Sequence, residues 1–423
     1  MINNIFGDII IYGIVGALAL VFFLALRHFY LISIQKKYLE SIEWKLYELK
    51  LPIENIKTPK AMEQVFASLY GMFSYGFSFK DKWIDGKVEL WASCELVGFS
   101  SSMHFFIRIP KQFTSLLESS IYSQYPNAEL AEAEDYVYRF GKEVPNEEFD
   151  LFGMDLVLLK DSIYPLKTYP QFEAIDEDKR IDPIATIAEI MAGLKKDEML
   201  WLQLLIRPTD AKWKEKANDE INTLTGRKKP VKKKTGMDSA TEFATNLVKA
   251  PVQQPEWSGS GGDQSQEPPK VLTPGEQDKL KGLEMKASQI GFEAALRFMY
   301  LDKKDAFTEQ NILAVMGAIR QFNGLNEFFP NKGTMTSSSA VGLFFRKSKV
   351  AGRKRNFFET YCNRAVPLDP PHHPGGLDLK MAVFSVEELA TLFHPPIASV
   401  SARTLQYVGS KKGGPPSDVP FVE

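Results

Sequence analysis

The sequence predicts an α+β fold behind an N-terminal transmembrane helix. Three observations carry this. An uncharged apolar run opens the chain, strand-like alternation then interchanges with amphipathic helical stripes, and a polar stretch rich in Pro, Gly, Ser, Gln and Lys divides the remainder. On this reading residues 1–50 are the anchor and a juxtamembrane helix, and 51–226 a first α+β domain. Residues 227–270 are a disordered linker, 271–409 a second α+β domain, and 410–423 a flexible tail. A chain of 423 residues allows that many units. Its 44% hydrophobic and 25% charged content is ordinary for globular proteins, and its formal charge of −2 gives no whole-chain field favouring nucleic acid or acidic lipid.

Ile9 to Leu26 is free of charge, bounded by Asp8 and Arg27. At ~1.5 Å per residue it spans ~27 Å, close to the ~30 Å hydrocarbon core of a bilayer. Tyr12 and Tyr30 sit near its two edges, where amphipathic rings are favoured. A cleaved signal peptide competes, but Asp8 is the only charged side chain before the run, and the small-x-small site Ala17-Leu18-Ala19 falls inside it. Arg27, Lys36 and Lys37 all follow the run, so the positive-inside rule predicts a single-pass protein of the cell membrane with a cytoplasmic C-terminal bulk.

Beyond it, Leu39, Ile42, Leu46 and Leu49 recur at helical spacing and predict a continuing helix ended by Pro52. Thr58-Pro59 opens a helix with the stripe Met62, Val65, Phe66 and Leu69. Val88–Phe99 and Met103–Pro110 read as strands joined by Ser100-Ser101-Ser102, with Met103, Phe105, Ile107 and Ile109 on one face and His104 on the other. A helix with Phe113, Leu116, Leu117 and Ile121 stops before Pro126, and 128–140 and 154–160 read as strands. Asp182-Pro183 opens a helix with the stripe Ile184, Ile187, Ala188 and Met191. Trp201–Arg207 is a strand, and Thr209 caps a helix carrying Trp213, Ala217, Ile221 and Leu224.

After the linker, Phe292–Leu301 is a strand and Thr308 caps a helix with Ile312, Val315, Met316 and Ile319. Residues 323–379 are weakly patterned. Met381–Phe384 is a short strand, and Ser385-Val386-Glu387-Glu388 has the form of a capping box. A strand carrying an arginine precedes an amphipathic helix three times, at Arg108, Arg207 and Arg297, which suggests repeated α+β units of the ferredoxin-like kind.

The signatures of common enzyme classes are missing. Gly86-Lys87 and Gly141-Lys142 lack the Ser/Thr of a phosphate-binding loop, and no G-x-S-x-G, H-E-x-x-H or C-x-x-C occurs. No cofactor and no metal are expected. Cys94 and Cys362 read as buried thiols, and neither has a second ligand at metal-binding spacing. Adjacent His372 and His373 point in different directions and make a poor chelate. Two basic stretches are candidate contacts for nucleic acid or anionic lipid. One is Arg227, Lys228, Lys229, Lys232, Lys233 and Lys234, with no aromatic residue interleaved. The other is Arg346, Lys347, Lys349, Arg353, Lys354 and Arg355, flanked by Phe344, Phe345, Phe357 and Phe358. The bland reading of each is a solvated linker and the edge of a core.

Four strings resemble an uncharacterised membrane-anchored region of candidate-phyla bacteria. They are Thr58-Pro59-Lys60-Ala61-Met62-Glu63-Gln64-Val65-Phe66-Ala67-Ser68-Leu69, Phe105-Phe106-Ile107-Arg108-Ile109-Pro110, Ile121-Tyr122-Ser123-Gln124-Tyr125-Pro126 and Glu387-Glu388-Leu389-Ala390-Thr391-Leu392-Phe393-His394-Pro395. In that group the region lies beside, or fused in front of, type IV secretion and conjugation-type DNA-translocating ATPases. Here Glu423 follows soon after the last string. The resemblance therefore implies an accessory half without the motor, and it supplies no catalytic residues. The expectation is a non-catalytic, membrane-anchored accessory or scaffold protein of a type IV secretion-like system, partnering a separately encoded ATPase. The alternative is a membrane-tethered nucleic-acid-binding protein using the basic stretches. Either is compatible with a homo-oligomer.

Overall fold

The computed structural model describes residues 2–51, 57–99, 101–141, 143–172, 182–227, 272–337, 345–369 and 376–396. The expected tail at 410–423 and, apart from Arg227, the expected linker at 227–270 lie outside these. The elements in order are α1 (Ile2–Glu40), β1 (Trp44–Lys50), α2 (Pro59–Leu69), α3 (Phe79–Trp83), β2 (Ala92–Phe99), β3 (Ser102–Pro110), α4 (Thr114–Gln124) and β4 (Glu129–Glu132). Then come β5 (Phe149–Leu158), α5 (Ala185–Ala192), β6 (Met199–Pro208), α6 (Lys212–Thr225), α7 (Pro274–Ser288), β7 (Gly291–Lys303), α8 (Gln310–Ile319), β8 (Phe328–Pro330), α9 (Arg346–Cys362), β9 (Ala382–Ser385) and α10 (Val386–Leu392).

The nine strands form one sheet in the order β4-β1-β3-β2-β6-β7-β5-β8, with β9 also paired to β7, and every pairing is antiparallel. Read inward from either end, the order repeats. The first four strands follow β1-α2-β2-β3-α4-β4 along the chain and lie as fourth, first, third, second. The other four follow β5-α5-β6, then β7-α8-β8, and lie in the same arrangement. Each half is thus a ferredoxin-like split βαβ unit. The units join through their second strands, β2 and β6, from Ala92↔Ile206 to Phe99↔Met199.

This corrects the expected division at 227–270. That stretch falls inside the second unit, between β6 and β7, which pair from Met199↔Leu301 to Pro208↔Phe292. The chain leaves the sheet at Pro208 and returns to it at Gly291, and the compositional break lies between α6 and α7.

One face of the sheet carries α2, α4, α5, α8 and α10. Their apolar stripes meet in a single core containing Met62, Val65, Phe66, Leu117, Ile121, Ile187, Met191, Val315 and Leu389. Burying each large side chain contributes roughly 1.5–3 kcal/mol. The opposite face carries α9 and the turn at 136–140 over Phe106, Trp201, Met299 and Leu301. Gly153 on β5 lets α9 approach, since a Cβ there would lie 2.3 Å from the Phe357 ring. Gly153→Val is therefore expected to destabilise by about 1–3 kcal/mol, as overpacking does, and a urea titration measures it.

Several local expectations change. The helix expected to run on to Pro52 ends at Glu40, and Leu46 and Leu49 belong to β1. Leu46 faces one layer while Tyr47 and Leu49 face the other, and a strand buried on both sides loses the alternation that identifies strands. The strand expected at 128–140 is only Glu129–Glu132, followed by a 3-10 turn. Thr58 precedes its helix in extended conformation but makes no side-chain cap, and α6 begins after Ala211 rather than at Thr209. Within weakly patterned 323–379 lies the seventeen-residue α9. Ser385 forms the expected capping box, its side chain accepting from Glu388 N while the Glu388 carboxylate accepts from Ser385 N. Both cysteines are buried and unpaired by disulfide.

Candidate functional site at the foot of the N-terminal helix

Polar side chains gather in the middle of the sheet and in a cleft beside α1. Across the sheet, Glu95, Gln203, Arg297 and Asp155 stand directly opposite one another on β2, β6, β7 and β5. All four are buried. Gln203 Nε2 donates to Glu95 Oε1 at 3.0 Å, and Arg297 Nε lies 3.2 Å from Asp155 Oδ1. Arg364, past the end of α9, covers the row. Its Nε and Nη2 donate to the two Glu95 oxygens at 2.9 and 3.0 Å, and Nη1 donates to Asp135 at 2.5 Å. Tyr136 OH also donates to Glu95, at 2.8 Å. Burial alone would push the Glu95 carboxyl up, but the Arg364 guanidinium outweighs it and holds it below the ordinary carboxylate value. At Asp155 burial prevails over Arg297, and the carboxyl is raised. The row and Arg364 are buried between sheet and helix among the described residues. They form a frame that fixes α9 to both units.

The cleft is open and larger, about 960 Å³. Arg27, Leu31 and Gln35 of α1 form one wall, the 73–89 segment between α2 and β2 another, and the ends of β6 and β7 with 367–369 the floor. The helix docks closely. Gln35 Nε2 donates to Asp369 O at 2.6 Å, Tyr30 OH donates to Trp83 O at 2.8 Å, and the Arg27 guanidinium sits 5.2 Å from the Trp83 ring. Gly86 makes the contact possible. It has φ +65, and a Cβ on it would lie 2.5 Å from Ile34 O. Gly86→Val is expected to push the segment off α1 and to expose Trp83, read as a red shift of its emission and as new protease sensitivity at 73–89.

Several charges of the cleft are paired. Arg207 donates from Nε and Nη2 to Glu293 Oε2 at 2.9 and 2.6 Å and from Nη1 to Pro367 O. Lys87 Nζ donates to Asp81 at 2.6 Å, and Asp81 also accepts from Ser78; these bonds hold its carboxyl well below the usual range. Glu89 accepts from Ser74 N at 2.8 Å, and burial raises it. Paired cations and anions of this kind suit binding and orientation better than proton transfer, because neither member is left poised to act.

A family model described as a domain of unknown function, DUF8128, matches residues 49–402. The chain belongs to the DUF8128 family. The match spans both ferredoxin-like units from the end of β1 through α10, and all four family-like strings. No curated protein matches the chain.

Within this DUF8128 fold the strings have structural work. The first and third supply α2 and α4, and the second is β3. The last is a clasp. Glu388 accepts from Leu166 N and lies 2.8 Å from buried Lys286 Nζ, and Glu387 accepts from Thr168 Oγ1 and from Gln289 Nε2. His394 contacts Asp182 Oδ1 through Nε2 at 3.0 Å and Ala390 O through Nδ1 at 2.7 Å. Both ring nitrogens face acceptors, so the ring holds Asp182 in place. His104 lies on the face expected, stacked on Phe99 with Nδ1 2.7 Å from Glu48.

The three strand arginines take different tasks. Arg108 sits 4.3 Å from the Trp44 ring, Arg207 floors the cleft and Arg297 joins the buried row. Of the basic stretches, exposed Arg227 follows α6, while Lys228, Lys229, Lys232, Lys233 and Lys234 lie outside the described residues. The second stretch divides. Lys354 is held by both oxygens of Asp150 at 2.7 and 2.8 Å, and Arg353 donates to Lys332 O and Met335 O. Phe357 and Phe358 are core. Arg346, Lys347, Lys349 and Arg355 are exposed, next to Phe345 at 84% exposure. The sequence could not reveal the cleft, because its walls come from segments near residues 30, 80, 207 and 368 that only the fold brings together.

Proposed function

We propose that the protein is a membrane-anchored, non-catalytic accessory or scaffold protein of a type IV secretion-like translocation system, partnering a separately encoded DNA-translocase-type ATPase. The observation that carries the reading is the character of α1. From Tyr12 to Leu26 it presents apolar side chains such as Leu18, Phe22 and Phe23 outward, and within the next three turns Leu31 and Gln35 are buried in the folded unit. The helix is long and apolar enough to cross a membrane, and hydrocarbon is the medium in which such a surface is stable. A helix clamped to its domain this way holds that domain at a fixed height over the bilayer, as a scaffold requires. The resemblance of the four strings to regions beside translocation ATPases supports the choice of partner.

Capture of the protein from native membranes in mild detergent is expected to recover a translocation ATPase. Recovery of none contradicts the reading. A second reading, nucleic-acid binding, is favoured by exposed Phe345 beside Lys347 and Lys349. It predicts affinity for DNA that falls steeply with salt and drops further on charge reversal of Lys347, Lys349 and Arg355. Weak binding that the reversal leaves unchanged removes it.

A further inference from the structure

We infer that the 75–84 segment is a second membrane contact, an aromatic foot that lies in the headgroup layer of the bilayer crossed by α1. The inference rests on the anchor reading and adds a site to it. Tyr75, Phe79 and Ile84 are 90%, 74% and 62% exposed, a concentration of large apolar side chains beyond what a solvated loop of this length carries. Their depth follows from α1. Arg27 is the first charged residue after the uncharged run, and it and Tyr30 both touch Trp83. At ~1.5 Å per residue these contacts lie within ~6 Å of the end of the apolar stretch. Trp83 is therefore at the level where tryptophan and tyrosine rings are favoured.

Phe79 stacks on Trp83, with centroids 5.8 Å apart and planes at 20°, so the pair extends the same level away from the helix. Tyr75, in edge contact with Phe73, is a further exposed ring of the same segment. Exposed Lys80 and Lys82 lie on the same short α3, and each is placed to meet lipid phosphate. The Ser78–Asp81 capping box and the Lys87–Asp81 ion pair hold α3 in shape. Gly86 seats the segment on the α1 backbone. The foot thus fixes the tilt of the folded unit on the membrane, which one helix alone leaves free.

The test uses the full chain in nanodiscs of phosphatidylethanolamine and phosphatidylglycerol, with spin labels at Tyr75→Cys, Phe79→Cys, Phe22→Cys and Asp305→Cys. The native cysteines are buried, and Asp305 follows the far end of β7. Oxygen partitions into lipid and a nickel chelate into water. Labels at 75 and 79 are expected to collide more with oxygen than with the chelate, as at 22, while 305 shows the reverse. In lipids with brominated chains, the fluorescence difference between the wild type and Trp83→Phe is expected to be quenched. Chelate-dominated collisions at 75 and 79 with lipid-dominated collisions at 22 overturn the foot and leave the anchor standing. Water exposure at 22 overturns both.

Discussion

Arg364→Met is expected to lower the stability of the folded unit by about 3–5 kcal/mol, the usual cost of removing one partner from a buried ion pair. Methionine fills a comparable volume, so the loss reports charge rather than a cavity. Glu95 is fully buried and is left with neutral donors such as Tyr136 OH and Gln203 Nε2. The pH dependence separates this cause from poor packing. In the wild type the Glu95 carboxyl is held below its ordinary value, so its stabilisation is present above the ordinary carboxylate range and is lost as pH falls through the folded value. In the variant burial loses its main opponent, the folded state favours the protonated acid, and the deficit grows as pH rises. Urea titrations at about pH 5 and pH 8 should give the larger deficit at pH 8. A deficit equal at both values would mean that the salt bridge is not what the substitution removes.

Glu388→Gln carries a similar expected cost, about 3–5 kcal/mol, with the opposite response to pH. The carboxylate accepts from Leu166 N and Ser385 N and is the counter-ion of Lys286, which is buried beside it. Burial already holds the Lys286 ammonium below the usual lysine range despite Glu388. Without the carboxylate that depression deepens, so the folded state binds fewer protons than the unfolded one over a wider range. Stability of the variant therefore recovers as pH rises, and the deficit at about pH 7 should exceed that at about pH 10. Glu388→Gln with Lys286→Met should be less damaging than Glu388→Gln alone, because the orphaned charge is then gone. If the double variant is the worse of the two, the clasp owes its strength to something other than this pair.

The contrast between what the sequence disclosed and what it hid has physical reasons. The α2 stripe was legible because Met62, Val65, Phe66 and Leu69 lie on one helical face and all are buried. β3 was legible because Met103, Phe105, Ile107 and Ile109 alternate with residues of the other layer. β1 was not, because both of its faces are covered. α7 opens on a Thr273–Glu276 capping box, but its buried positions are few, Leu283 and Lys286, and the polar linker precedes it. α9 hid behind its own charge, since the same helix that presents Lys347, Lys349 and Arg355 to solvent buries Phe357 and Tyr361. The repeat was hinted at by the arginine-bearing strands β3 and β7, which are equivalent in the two units, while Arg207 lies on β6, a second strand; the true boundaries depended on β6 and β7 pairing across the long insertion. The cleft and the aromatic foot depend on α1 lying against the 73–89 segment, a contact set by Gly86 and Trp83 that no local pattern announces.

The functional reading depends on α1 crossing the membrane with the folded unit on the cytoplasmic side. Cysteine accessibility in intact cells tests this most directly, since both native cysteines are buried. An impermeant maleimide is expected to modify Asn3→Cys from outside and to reach Asp305→Cys only after the cells are permeabilised. Labelling of Asp305→Cys in intact cells, or a mature chain that has lost residue 3, would contradict a single-pass anchor with a cytoplasmic bulk.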